Sequence, residues 1–209
     1  AFDLDILLVH HMMDMSHPYQ KSLGDRRLGQ VKLPYYPTRQ SKPKPSQLSQ
    51  MKALADSSKG QLVGFSAFDP QRFVDAEDIA WAVTKALDKA MGDFNMVGFK
   101  FYPPMGYNVY EDRNSAVGKA ISAFLRYCIR VDAPVFAHCT PVGFEVTEGT
   151  GLNSDPVYWK KLFQAEGWAK DLRLCLGHAG GGRFCARKNR SLISAGWVAN
   201  EAEWASQKN

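Results

Sequence analysis

Five short apolar segments recur along the chain, and each has the length and residue types of a buried β-strand. Asp, Pro, Thr or Gly stands at or near the end of each segment, as expected where a strand gives way to a turn. The segments are LDILLVHHMMDM (4–15), QLVGFSAFDP (61–70), MVGFKFYPP (96–104), APVFAHCT (133–140) and LRLCLGHAGGG (172–182).

Helical patterns fill the intervals between these segments, with apolar residues spaced three and four apart and capping residues at several ends. The predicted helices cover 46–58, 75–91, 115–130, 154–168 and 191–208. This alternation predicts an α/β fold with a parallel sheet built from βαβ units. The intervals from Lys100 to His138 (38 residues) and from His138 to His178 (40 residues) each fit one βα unit.

The predicted loops are long on one side of the sheet and short on the other. Long segments follow the strands at 16–45, 103–114 and 141–153, whereas the returns from helix to strand are short. Binding loops of parallel α/β proteins gather at the carboxyl ends of their strands. We therefore expect one domain over 1–209, with a long loop insertion at about 17–46 and a site at the carboxyl edge of the sheet.

A lysine interrupts the most hydrophobic strand. Because side chains alternate along a strand, one face carries Val97, Phe99 and Phe101, and the other carries Gly98, Lys100 and Tyr102. We expect the phenylalanines to pack on helices and Lys100 to point into a barrel near its mouth. A buried ammonium is costly unless it is paired or functional, which favours a catalytic or substrate-binding role. The structural alternative is a lysine that snorkels to solvent.

Two histidines end the next two predicted strands. His138 is in phase with Phe136, and His178 is in phase with Leu176. A lone histidine on an apolar strand is more often a core residue, but two at the same height below the loop-rich edge indicate a site. Neutral imidazoles suit zinc or proton transfer near pH 7.

Two carboxylates, Asp14 and Asp69, end the first two predicted strands and are candidate substrate-binding residues, although Asp69 before a proline is also a typical turn residue. His10, His11 and His17 surround Asp14, but neighbouring strand residues face opposite ways, so we interpret these histidines as structural or surface residues. The GHAGGG segment lacks the spaced glycines and Lys-Ser/Thr of a phosphate loop, which leaves nucleotide binding as a minor alternative.

Composition narrows the class of protein. The formal charge is +5, but the basic residues are scattered without a nucleic-acid motif, so we predict no nucleic-acid partner. No apolar run approaches the roughly 20 residues that span a membrane. The four cysteines form no C-x-x-C pair and mostly adjoin apolar runs, which predicts reduced, buried thiols and a cytoplasmic protein.

The segments SAFDPQR, VGFKFYPPMGYNVYEDRN, APVFAHCTPVGF and DLRLCLGHAGG, in this order, resemble the amidohydrolase superfamily of metal-dependent hydrolases and decarboxylases with a (β/α)8 TIM barrel. The resemblance covers about residues 60–182 and implies that these segments are barrel strands three to six, with the first apolar segment as strand two. It implies that His138 is a metal ligand, that His178 is a second ligand or acts beside the metal, and that Lys100 is an amine near the substrate. The implied cofactor is a divalent metal, with zinc favoured.

The chain departs from the family pattern in having no His-x-His pair, and it shows no candidates for strands one, seven and eight. The prediction is therefore an incomplete barrel that hydrolyses a small carboxylated or cyclic substrate. A decarboxylase of the same superfamily and a non-catalytic partial barrel that binds a ligand or partner are the alternatives. The apolar edges of an unclosed sheet invite pairing, so a homo-oligomer is also expected of the chain alone.

Overall fold

The computed structural model describes residues 6–14, 35 and 45–178. These residues form five strands, four α-helices and four short 3₁₀ turns. The strands are β1 (Leu8–His11), β2 (Leu62–Phe68), β3 (Gly98–Phe101), β4 (Val135–His138) and β5 (Leu174–Gly177). The helices are α1 (Gln47–Ser57), α2 (Ile79–Gly92), α3 (Ala116–Arg130) and α4 (Pro156–Ala165). The 3₁₀ turns are Pro70–Phe73, Pro103–Met105, Thr150–Ser154 and Gly167–Asp171. The helix predicted at 191–208 and most of the insertion at 17–46 lie outside the described residues.

The sheet is all parallel, in the order β1-β2-β3-β4-β5, which confirms the predicted strand order. Each strand is followed by a helix before the next strand begins, so the fold is mixed α/β. The register pairs Lys100 with Phe136 and Phe136 with Cys175, which aligns these three side chains across one face. The carboxyl ends of the strands therefore meet at one edge, as the sequence analysis expected.

The sheet is curled into a half barrel. The ring of His11 on β1 lies 4.1 Å from the ring of Phe136 on β4. In a flat sheet these strands would be separated by three spacings, about 14 Å. Two glycines allow the rings to cross the concave face, since a Cβ on Gly98 would lie 2.8 Å from Phe65 and one on Gly177 would lie 2.6 Å from Phe136.

The convex face is covered by helices and forms the main core. Phe124 of α3 stacks on Phe68 with 4.0 Å between ring centroids and also contacts Phe99 and Phe101. All four rings are at least 98% buried, which confirms that the β3 phenylalanines pack on helices. Val97 was predicted to lie in the same buried strand, but it precedes β3 and is 41% exposed, so that prediction is wrong.

Side-chain caps fix where the helices begin. The side chains of Ser46, Asp78, Ser115 and Asp155 each accept a hydrogen bond from a backbone N–H in the first turn of the helix that follows. Helix α2 therefore starts at Ile79 rather than at residue 75, because Asp78 is the cap. Helix α4 ends at Ala165, and the residues predicted to extend it form a 3₁₀ turn instead.

Both outer strands of the described sheet carry apolar side chains at its edges. Ile6, Leu7 and Leu8 are 58–59% exposed and Val9 is 43% exposed. The edge at β1 therefore leaves a continuous aliphatic stretch open to solvent.

The part of the chain that the structure describes has no helix that combines the length and the apolar composition of a membrane span.

Candidate functional site

Lys100 lies on the concave face, as its strand phase predicted. Its side chain is only 5% exposed, and its Nζ lies 4.2 Å from the centroid of the Phe136 ring and 5.6 Å from that of Tyr102. Among the described residues no carboxylate pairs with this ammonium, and the electrostatic partner that the structure gives it is Cys175. Burial lowers the pKa of Lys100 to about 8, with a small opposing effect from Cys175.

His138 lies at the carboxyl end of β4, one step beyond Lys100 along the concave face. It is 5% exposed, and its Nε2 lies 3.2 Å from the carbonyl oxygen of Val142. Burial lowers the pKa of His138 to about 4, and the charges of Lys100 and His178 add to this effect. The imidazole is therefore neutral near pH 7, with backbone hydrogen-bond partners in Val142 and Thr140.

His178 lies beside His138, but not for the reason that its strand phase predicted. The register pairs His138 with Gly177, so His178 follows the strand and would alternate to the opposite face. Its φ of 64° places it in the left-handed region, and its ring lies 4.8 Å from the ring of His138. Burial, and then the charge of Lys100, lower the pKa of His178. The two histidines are neighbours, but a backbone turn rather than equal strand height brings them together.

A loop after β4 folds over Tyr102 and His138. The Tyr102 hydroxyl donates to the carbonyl oxygen of Phe144 at 3.1 Å, and its ring lies 4.5 Å from that of His138. Gly143 lies between them with φ 136°, where a Cβ would be 3.1 Å from the Tyr102 hydroxyl. Burial is the main reason that the pKa of Tyr102 is raised. The tyrosine is therefore a neutral hydrogen-bonding group beside His138.

This loop is tied to the loop that follows β3. The carbonyl oxygen of Pro104 accepts hydrogen bonds from the backbone N–H of Val146 at 3.1 Å and from the Thr150 hydroxyl at 2.7 Å. Glu145 in turn accepts from the N–H groups of Gly149 and Gly151, both at 3.0 Å. The two loops thus share one hydrogen-bonded framework above the carboxyl edge of β3 and β4.

The two candidate carboxylates lie at the ends of β1 and β2 and are engaged by their own surroundings. Asp14 forms a buried bidentate ion pair with Arg72, in the 3₁₀ turn after β2. Asp69 caps that turn by accepting from the N–H of Gln71 at 3.0 Å. Both are close enough to Tyr107 to contribute to raising its pKa, after burial. These contacts of Asp14 and Asp69 hold the 3₁₀ turn Pro70–Phe73 against the sheet.

A cavity of about 390 Å³ opens on the concave face below Lys100, toward the amino-terminal ends of the strands. His11 lines this cavity, although the sequence indicated a structural or surface role for it. Its ring lies between Phe65 and Phe136, and its Nδ1 is buried with no hydrogen-bond partner among the described residues. No local signal identifies His11, because the curl of the sheet brings it to β4.

The cysteines follow the prediction only in part. Cys128 and Cys139 are free and buried, as expected. Cys175 was also expected to be buried, but it is exposed because β5 is an edge strand of the described sheet and the side chain lines the open cavity. Cys185 and His17 lie outside the described residues, and His10 is exposed on β1.

His138 and His178 are the two potential zinc ligands that the described residues bring together. Two imidazoles that bind one zinc ion at about 2.1 Å place their ring centroids roughly 5 Å apart, close to the 4.8 Å observed for His138 and His178. A ligating histidine usually donates its other N–H to a carbonyl or carboxylate, and Val142 offers such a carbonyl to His138. The described residues contain no group of three or more His, Cys, Asp or Glu side chains arranged to hold a metal. The spacing of the two rings is therefore compatible with two ligands of one zinc ion, and the described residues supply no third.

Comparison with known proteins gives no family assignment: no protein-family profile matches the chain, and no curated protein does either.

Proposed function

We propose that this chain carries part of the active site of a metal-dependent hydrolase of the amidohydrolase type. The observation that supports it is the contact between His138 and His178 beside the buried ammonium of Lys100, at the carboxyl ends of β4 and β5. On this proposal the described strands are strands two to six of a (β/α)8 TIM barrel. The resemblance of the strand segments to that superfamily gives the same assignment.

His138 would be a metal ligand, and His178 would be a second ligand or a proton carrier beside the metal. A bound zinc ion would supply Lewis acidity for activating a water molecule. The lowered pKa values keep both imidazoles neutral at pH 7, which ligation requires. The contact between His138 Nε2 and the Val142 carbonyl oxygen would then hold the ring in its orientation.

Lys100 would bind a carboxylate or the negative charge that develops during reaction, because its ammonium has no carboxylate partner among the described residues. Tyr102 lies beside it and presents its hydroxyl at the loop that covers the site. This arrangement favours a small carboxylated or cyclic substrate. It also fits decarboxylation by a related enzyme, since a buried positive charge stabilises the electron pair left when carbon dioxide departs.

The free thiols of Cys128, Cys139 and Cys175 accord with a reducing compartment, and we place the protein in the cytoplasm on this proposal.

Zinc affinity of single-histidine variants tests the proposal. Competition with a chromophoric chelator should show that His138→Ala and His178→Ala each weaken zinc binding by at least tenfold. The matched control is His10→Ala, which removes an exposed histidine of β1 and should leave the affinity unchanged. Wild-type affinity in both site variants would contradict the proposal and favour a non-catalytic binding domain.

Hydrolysis itself is tested with the zinc-loaded protein and a panel of cyclic amides, lactones and aromatic carboxylates. Lys100→Met should reduce kcat/KM by at least a hundredfold for the substrate that is turned over. Release of carbon dioxide instead of a hydrolysis product would select the decarboxylase alternative.

A further inference from the structure

Cys175 has surroundings that the other described cysteines lack. Cys128 and Cys139 are buried, whereas Cys175 is exposed and lines the open cavity of the concave face. This cavity of about 390 Å³ is far larger than hydrogen peroxide, which is close to water in size. A small oxidant can therefore reach Cys175, while packing shields the two buried thiols.

The register sets Lys100 and Cys175 on either side of Phe136. Lys100 pairs with Phe136 across β3 and β4, and Phe136 pairs with Cys175 across β4 and β5. Residues paired across a parallel sheet point to the same face, so the three side chains form one row on the concave face. The Lys100 Nζ lies 4.2 Å from the centroid of the Phe136 ring, and so over the residue that separates it from Cys175.

The ammonium in this row lacks an anion. Lys100 is 5% exposed and forms no ion pair with the described carboxylates. Burial lowers the pKa of Lys100 to about 8, and the acidic group that acts in the opposite direction is Cys175. A charge buried without a counter-ion is unfavourable, so an anion formed at Cys175 would relieve a cost that the fold already carries.

The other cation at the cavity is already paired. Arg173 lines the same cavity and donates from Nη1 to the backbone carbonyl oxygen and to Oδ2 of Asp132, both at 3.1 Å. The described residues that line the cavity include no carboxylate. A new anion at Cys175 would thus meet Lys100 as a cation without a counter-charge.

We propose that Cys175 is a site of oxidation by peroxide, with a sulfinate as the product and the ammonium of Lys100 as its counter-ion. The thiol sulfur attacks one oxygen of hydrogen peroxide, an S–O bond forms, and the O–O bond breaks. The departing hydroxide takes the thiol proton and leaves as water, which gives a sulfenic acid. A second peroxide repeats this step at the same sulfur and gives a sulfinic acid and a second water. In each step sulfur loses two electrons to the peroxide, and the sulfinic acid finally releases its proton to solvent.

This modification lies outside the proposed function, since it involves neither zinc nor turnover. If Lys100 also binds substrate as proposed above, the sulfinate would compete for the same ammonium. Oxidation at an exposed strand would then reach the candidate site through one charge.

Oxidation is measured on the chelator-treated full chain carrying Cys185→Ser, so that a disulfide with Cys185 cannot replace the sulfinate. Peptide mass spectrometry follows each remaining cysteine during exposure to hydrogen peroxide, and dimedone traps the sulfenic acid. Thermal melting then compares the reduced and oxidised proteins in the wild-type, Lys100→Met, Arg173→Met and Lys119→Met backgrounds. Cys175→Ser, treated in the same way, corrects for oxidation of methionines and other groups.

Cys175 should gain two oxygen atoms at least about tenfold faster than Cys128 or Cys139. After correction, the oxidised protein should melt about 2–4 °C above the reduced protein, as a charge pair of modest strength would produce in a domain of this size. The same rise should separate Cys175→Asp, which mimics the sulfinate, from its neutral counterpart Cys175→Asn. Both rises should vanish in Lys100→Met and persist in Arg173→Met and in the surface control Lys119→Met.

Oxidation of Cys175 no faster than that of the buried thiols would overturn the site, because another polypeptide or a second copy would then fill the cavity. The absence of a rise in melting temperature, a rise that persists in Lys100→Met, or one that disappears in Arg173→Met would overturn Lys100 as the counter-ion. These results are separate from the zinc titrations. If Cys175 behaves as expected but the histidine variants bind zinc normally, the oxidation site stands and the proposed function fails.

Discussion

Replacing Lys100 by methionine should make the metal-free protein more stable. Methionine keeps most of the length and the apolar contacts of lysine and removes the charge that is buried against Phe136. A lysine whose loss stabilises the fold is retained for function rather than for structure.

The magnitude follows from the pKa. A fall from 10.5 to about 8 corresponds to roughly 3.4 kcal/mol of penalty on the charged form, at about 1.36 kcal/mol for each pKa unit. The Phe136 ring stabilises the charge by about 1 kcal/mol, and the high effective dielectric of protein sites reduces the penalty further. We therefore expect Lys100→Met to raise the free energy of unfolding by about 1–2 kcal/mol at pH 7.

The stability difference between Lys100→Met and the wild type depends on pH. Below pH 8 the folded and unfolded states both hold the lysine proton, so the full penalty applies. Between pH 8 and 10.5 the folded state loses the proton and the unfolded state keeps it, so wild-type stability rises with pH relative to the variant. The difference between the two proteins should therefore fade across this window.

Urea unfolding followed by circular dichroism at pH 7, 8, 9 and 10 measures this difference. Lys119→Met is the matched control, because Lys119 is exposed on α3, and it should change stability by less than about 0.5 kcal/mol. A variant less stable than wild type at pH 7, or a difference that does not change with pH, would refute the reasoning.

Three further outcomes are expected. Because burial lowers the pKa of His138 from 6.5 to about 4, this group should cost the metal-free protein roughly 2 kcal/mol of stability as the pH falls from 6.5 to 4. In urea titrations His138→Gln should reduce the pH slope by about that amount, while the lowered pKa of His178 leaves part of the slope in place, and an unchanged slope would contradict the assignment. Gly177→Ala should lower the melting temperature and the free energy of unfolding by about 1–3 kcal/mol, because the new Cβ would lie 2.6 Å from Phe136. Gly92→Ala is the control, since a Cβ there meets nothing within 4 Å, and equal effects of the two substitutions would contradict the packing argument. The chain alone should self-associate through its β1 edge in sedimentation experiments, and Leu8→Lys should reduce this association, whereas an unchanged distribution would count against the edge.

The local sequence pattern was sufficient to predict the strands and the face of the sheet on which each β3 side chain lies. Phe99 and Phe101 are buried under α3 and Lys100 points the other way, because alternation along a strand is a property of the strand itself. The parallel arrangement could be predicted from the helices between the strands, since neighbouring parallel strands must be joined by a crossover connection, which is usually a helix.

The features that local pattern missed depend on distant residues. His11 reaches Phe136 only because the sheet curls, and the rings on the concave face pack against Gly98 and Gly177, where a Cβ would clash with them. Cys175 is exposed because β5 is an edge strand of the described sheet, which its own apolar neighbours do not indicate. The position of His178 depends on a single left-handed φ, which strand periodicity does not contain.

The shared framework of the loops after β3 and β4 has a consequence for how this fold can diversify. Because the carbonyl of Pro104 binds both Val146 and Thr150, the two loops form one cooperative unit and should exchange their amide hydrogens together. A change of specificity introduced into one loop alone would disturb the other, including the carbonyl groups that orient Tyr102 and His138. Recombination of these loops between related proteins should therefore preserve function only when both are transferred as a matched pair.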